Sequence, residues 1–191
     1  MRRPMLRRSA ALLLALAASL GVSACGTEYN KGDQRKLAES EASYLDLNGL
    51  KYQVQVSRQL NPRDVEDADY FRDLPPAESS LPRGTIWFGV FVRVENESKV
   101  AIPSARTFLV GDTRGNEFEP VESENVFAYR PETVPVGGLI PNPERLQAYA
   151  GSQGSLLLFK LPLASLSNRP LELTVKSPND SRRVARVDLD V

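Results

Sequence analysis

Beyond residue 42, polar and apolar positions alternate with a period of two along much of the chain. Leu50, Tyr52, Val54 and Val56 are separated by Lys51, Gln53 and Gln55, which places the four apolar side chains on one face of a strand whose other face is wet. A shorter run at 43–47 precedes it, and Asn48-Gly49 joins the two. Asn-Gly suits the left-handed positions of a type I′ turn, so these residues predict a hairpin. Over 85–95 the pattern differs. Ile86, Phe88, Val90, Val92 and Val94 share one face while Trp87 and Phe91 take the other, and a strand apolar on both faces belongs at the centre of its sheet. Trp87 is accordingly expected in the core rather than as a ligand platform.

Further strands are predicted at 106–110 and 116–120, flanking the hairpin loop Gly111-Asp112-Thr113-Arg114-Gly115. A buried run covers 155–161 after the turn at 151–154, and the segments 171–175 and 185–191 alternate cleanly. Seven or eight short strands separated by turn signals predict an all-β, antiparallel β-sandwich. No internal repeat is visible.

The first 25 residues follow another logic. Arg2, Arg3, Arg7 and Arg8 form a positive segment, an uncharged stretch rich in Ala and Leu covers 9–20, and Val22-Ser23-Ala24-Cys25 follows. This arrangement resembles the signal and lipobox of bacterial lipoproteins. The resemblance implies cleavage between Ala24 and Cys25 and a diacylglyceryl group on the Cys25 thiol. A membrane-spanning helix needs roughly 20 apolar residues, and the run is too short. An ordinary secretory signal is the stronger rival, since small residues precede its cleavage site too. The chain's single cysteine, however, occupies the lipobox position. Three segments are therefore expected: signal peptide at 1–24, lipidated N-terminus and flexible tether at 25–42, and the sandwich at 43–191. The polar, mixed-charge composition of 26–42 suits a solvated tether, with a short helix around 34–43 as the alternative.

Composition narrows the chemistry. Removing residues 1–24 takes four Arg and no acid, leaving 24 − 4 = 20 basic and 24 acidic residues, a net charge of −4. A mildly acidic surface has no general attraction for nucleic acid. There is no His, both Met residues fall in the signal, and the one Cys would be alkylated. Zinc, copper and haem sites depend on those ligands, and Ser–His or Cys–His nucleophilic catalysis needs the missing imidazole. No cofactor is expected, and stability must come from packing without an intrachain disulfide.

The stretch Trp87-Phe88-Gly89-Val90-Phe91-Val92-Arg93-Val94-Glu95-Asn96-Glu97-Ser98 resembles the signature of an immunoglobulin-like domain common in Gram-positive lipoproteins. In that domain a hydrophobic strand ends in Asn and small polar residues. Phe108-Leu109, then Asp112, Gly115 and Phe118 of a D-x-x-G-x-x-F/Y hairpin, and Leu157-Leu158-Phe159-Lys160-Leu161-Pro162 match its later motifs. The resemblance covers roughly 45–190 and implies a fold without an assigned activity; the segment 61–84 departs from it as an insertion.

That insertion carries the candidate chemistry. Asp64, Glu66, Asp67, Asp69 and Asp73 put five carboxylates in ten residues beside Tyr70 and Phe71. Such a loop could gather calcium, which takes six to eight oxygen ligands, but the spacing lacks the Gly and distant Glu of an EF-hand, and no metal is expected. Acids beside aromatic rings also suit a carbohydrate site or a carboxylate-based hydrolase. The plainer reading is that Tyr70 and Phe71 pin the loop to the sandwich. The Pro- and Gly-rich segment 130–149 is expected either to cover the sandwich or to bind a partner. The resulting expectation is a non-enzymatic binding module on the extracytoplasmic face of the cell membrane, held by its lipid and meeting an envelope protein or polymer. The alternative is a small-solute or carbohydrate receptor using a cleft between 61–84 and 130–150.

Overall fold

The computed structural model describes residues 34–38, 43–144, 154–180 and 182–189. In chain order its strands are β1 (Gln34–Ala38), β2 (Leu45–Leu47), β3 (Leu50–Leu60), β4 (Thr85–Asn96), β5 (Ile102–Pro103), β6 (Thr107–Gly111), β7 (Glu117–Phe118), β8 (Thr133–Val134), β9 (Leu139–Ile140), β10 (Ser155–Pro162), β11 (Leu171–Lys176) and β12 (Arg183–Leu189). One sheet has the order β10-β4-β3-β2, with β9 also paired to β4; the other runs β1-β12-β11-β6-β7; β5 and β8 form a separate pair. The strand pairs are antiparallel except β1 with β12, which is parallel. The protein is an all-β sandwich. No helix among the described residues is long and apolar enough to cross a membrane.

The inward faces of the two sheets share one core. Phe88, Val90, Val92 and Val94 of β4 meet Phe108 and Val110 of β6, Leu173 and Val175 of β11, and Ala185 and Val187 of β12. Trp87 and Phe91 point to the opposite face, where they join Leu60, Tyr70, Phe127, Leu156 and Leu158 in a second buried cluster. Gly89, between Trp87 and Phe91 on that face, leaves room for the Leu60 side chain, which a Cβ there would approach to 2.7 Å.

The β2–β3 hairpin forms as the sequence predicts, with Asn48 and Gly49 both at positive φ (55° and 84°). Val56, however, does not share the inward face of Tyr52 and Val54. A register shift between Val54 and Val56 makes Gln55 an extra residue on β3, and such a bulge reverses the alternation beyond it. Val56 thus pairs with Phe91 and packs on the outer cluster, while β3 continues to Leu60. Within the span expected as tether, Gln34–Ala38 lies as strand β1 beside β12 rather than as a short helix. The signal segment and Cys25 lie outside the described residues. So do 145–150, but the rest of the 130–149 segment covers the sandwich: Val134 and Ile140 are buried in the main core.

Asn96 closes β4. Its side-chain amide donates to the carbonyls of Val100 and Val134 at 2.8 and 2.9 Å, and its Oδ1 accepts the Ser98 amide at 2.9 Å. Its backbone N–H reaches Gly138 O at 3.0 Å, and Gly137 N–H reaches its carbonyl at 2.9 Å. One fully buried residue therefore holds two turns. Asn96→Ala would leave the buried Val134 carbonyl without the Asn96 amide, while Val100 O keeps the Ser98 hydroxyl, and we expect it to cost about 1–3 kcal/mol in urea unfolding. A loss below about 0.5 kcal/mol, the scale of ordinary surface changes, would contradict this role.

Candidate functional site

The acidic insertion leaves the end of β3, runs through a 3-10 turn at Ala68–Phe71, and packs onto the outer face of the β4 sheet. Tyr70 is only 5% exposed. Its ring meets Phe91 and Phe127 edge-on, with centroids 5.2 and 5.3 Å away, and Phe71 lies 5.3 Å from Trp87. These aromatic contacts fix the loop, so neither ring stands open as a sugar platform.

The five carboxylates separate. Asp67 turns inward, where it accepts from Arg58 at 2.6 Å and from the Asn61 amide at 2.8 Å. Burial pushes its pKa up, but the Arg58 guanidinium and the Asn61 amide outweigh that effect and leave it lowered. Asp64 accepts the Glu66 amide at 3.0 Å, and Asp69 pairs with Arg72 at 2.6 Å on the surface. Glu66 and Asp73 are exposed. Among the described residues no three Asp, Glu, Cys or His side chains gather in a way that could hold a metal ion.

Asn125 clamps this loop from more than 50 positions away in the chain. It is 1% exposed, and its amide donates to Asp69 O and Arg72 O at 2.7 and 2.8 Å while Oδ1 accepts the Phe127 amide at 2.9 Å. The segment it sits in is laced to the edge of β10 by Val121 N–H to Leu158 O, Leu156 N–H to Phe127 O and Tyr129 N–H to Leu156 O, at 2.7, 2.7 and 2.8 Å. Lys160 adds a tie on the same side, 2.7 Å from Glu78 and 5.2 Å above the Trp87 ring.

A cleft of about 440 Å³ opens beside this arrangement, lined by Tyr70, Phe108, Tyr129 and Leu156 with the charged Arg106, Glu122, Glu124 and Arg130. Its wall is the 120–131 segment, so it differs from the cleft expected between 61–84 and 130–150. Arg130 is held by Glu124, 3.2 Å from the carboxylate and 2.8 Å from the carbonyl. The two tyrosines nearest the core serve the backbone. Ala105 donates its N–H to the Tyr52 hydroxyl at 2.7 Å and accepts from the Tyr129 hydroxyl at 3.0 Å. Burial pushes the Tyr52 pKa up to about 12 despite the Ala105 amide, and burial likewise raises that of Tyr129.

Asp112, in the hairpin between β6 and β7, is the second buried carboxylate among the described residues, 8% exposed. It accepts from the Asn116 side chain at 2.9 Å, from the Asn116 and Arg114 amides at 3.1 and 3.0 Å, from the Ser165 hydroxyl at 3.1 Å and from the Asn168 side chain at 3.3 Å. The Asn116 side chain contributes most to holding its pKa down at about 2, with the backbone amides and Asn168 adding to it. A general acid near neutrality needs a raised pKa, and Asp67 and Asp112 are shifted the other way.

No family model matches the chain, and no curated protein matches it. Three solved structures show similarity. An uncharacterized β-sandwich protein from Clostridium difficile 630 has 9% identity and a TM-score of 0.45 over 85% of this chain and 99% of its own. The yjhA protein of Bacillus subtilis has 12% identity and a TM-score of 0.45 over 80% of this chain and 100% of its own. The proposed lipoprotein ycdA of Bacillus subtilis subsp. subtilis str. 168 has 12% identity and a TM-score of 0.44, with 78% of this chain matching 39% of that one. Likeness at this level places the chain in no family.

The donors around Asp112 predict a pH response. Its folded pKa lies below the ordinary 3.8, so its contribution is complete above about pH 4 and fades as the pH falls through about 2. Asp112→Asn should be less stable than the parent at pH 7, and its melting temperature should fall less steeply between pH 4 and pH 2. Parallel pH profiles for the two proteins would show that the carboxylate is not held in this way.

Proposed function

We propose that this protein is a lipid-anchored, non-enzymatic interaction module on the extracytoplasmic face of the cell membrane, and that its sandwich is the immunoglobulin-like domain of Gram-positive lipoproteins. The observation that carries the reading is the placement of the single cysteine, Cys25, directly after Val22-Ser23-Ala24 and an uncharged run preceded by four Arg. An anchor bearing two acyl chains holds a protein firmly, since each buried methylene contributes about 0.8 kcal/mol.

The non-enzymatic part rests on how polar groups are used. Asp67 and Asp112 are absorbed by donors that keep them ionised, Asn96 and Asn125 are absorbed by backbone carbonyls, and the chain has no His. Asn96, Asp112, Gly115 and Phe118, which carry the family resemblance, sit in or beside turns. They support a domain whose distinguishing residues shape its loops. The carbohydrate-receptor reading loses support because Tyr70 and Phe71 face the sandwich.

Fractionation of cells expressing the full chain tests the anchor. The parent should stay in the membrane pellet after carbonate washing, and Cys25→Ala should move to the soluble fraction. Retention of the variant in the washed pellet would overturn the anchored reading.

A further inference from the structure

We infer that one end of the sandwich, tipped by Val100 and Val136, docks on the lipid bilayer; the inference rests on the lipidated Cys25 proposed above.

Strand register defines that end. Gln34, where the described chain enters β1, lies opposite Arg183 at the start of β12. The Arg183 guanidinium donates to the Asn48 side-chain oxygen at 3.2 Å, and the Asn48 side-chain amide donates to Ser177 at the end of β11. Leu50, one residue past that turn, pairs with Asn96. The entry of the chain, the β2–β3 turn, the β11–β12 turn and the two turns held by Asn96 therefore share one end. Trp87 pairs with Leu60 at the opposite end of β4. The nine positions from Trp87 to Asn96 correspond to about 30 Å of strand.

Chain length then limits the distance. Gln34 follows Cys25 by 34 − 25 = 9 positions, and nine residues span at most about 30 Å. A lipid on Cys25 would hold the entry of β1, at the Asn96 end, within about 30 Å of the headgroups, and the Trp87 end lies a strand's length from that entry.

The chemistry of that end suits the place. Val100 and Val136 are 62% and 59% exposed, and they lie in the two turns that follow β4 and β8, both bonded to Asn96. Their backbone is tied down. The Asn96 amide holds Val100 O, and the Asn96 carbonyl holds the amide of Gly137, next to Val136. Ala101 and Pro135 extend the apolar tip, and the exposed Lys99 stands beside it. Two fixed aliphatic side chains flanked by a cation match the boundary between acyl chains and anionic headgroups.

The test uses full-length lipidated protein carrying Val136→Trp, or Val65→Trp in the 90% exposed position beyond the other end of β3. Each is reconstituted into phosphatidylcholine–phosphatidylglycerol vesicles with brominated acyl chains, and the parent supplies the Trp87 background. Indole fluorescence from position 136 should shift to the blue and fall about twofold or more, as expected for a side chain within the boundary region. Position 65 should be unaffected, and adding Val100→Asp should relieve the quenching at 136. Protein that floats with the vesicles but shows no greater quenching at 136 than at 65 overturns the docking while leaving the anchor intact. Protein that fails to float overturns the anchor itself, and docking with it. Concentration-dependent burial of the indole introduced by Val136→Trp, without quenching, would assign the tip to a second copy and also overturn the inference.

Discussion

The burial of Trp87 and Phe91 on the outer face of β4 is the constraint from which the rest of the structure follows. Strand β4 has already committed Phe88, Val90, Val92 and Val94 to the space between the sheets. A large apolar side chain left in water forgoes about 1.5–3 kcal/mol, so the outer face also needs a cover. The insertion after β3 and the segment before β8 supply it through Tyr70, Phe71 and Phe127. Cover of this kind brings loop backbone out of water, and its carbonyls and amides must then find partners. Asn125 serves those of the outer cover, Asn96 those of the β5–β8 end, and Asp112 those of the β6–β7 hairpin.

This division explains the character of the surface. The residues with the most chemical potential in the sequence, the buried acids and amides, are spent on shaping loops. What remains outward is a sandwich whose loops are fixed by aromatic contacts and short hydrogen bonds. Its two ends also differ: one gathers the entry of the chain and the Val100–Val136 tip, and the other carries the Asp112 hairpin and leads into the acidic insertion.

Much of this was legible in the chain because strand period and turn chemistry are local. Asn48-Gly49 announces its own turn, and the opposed placement of Trp87 and Phe91 announces a strand with two dry faces. The bulge at Gln55 was not legible, since nothing in Lys-Tyr-Gln-Val-Gln-Val distinguishes a continuous alternation from one interrupted by an extra residue. Strand β1 was hidden for a related reason: Gln34-Arg35-Lys36-Leu37-Ala38 is too polar to signal a strand, and its place comes from pairing with a distant partner. The fate of the acidic loop was hidden by distance. Five acids in ten residues suggest a site, yet Arg58 takes one inward and Asn125 holds the loop from far along the chain. The cleft escaped for the same reason, because the 120–131 segment reads as an unremarkable polar connection until its hydrogen bonds to β10 are seen.

Native-state amide hydrogen exchange tests most directly whether the outer cover is an integral part of the fold. The Val121, Phe127 and Tyr129 amides, bonded to β10 and Asn125 at 2.7 to 2.9 Å, should exchange with opening free energies close to those of the β4 core, as members of one cooperative unit do. Rapid exchange at these amides while β4 stays protected would show that the cover opens by itself, and would contradict the dependence of the fold on it.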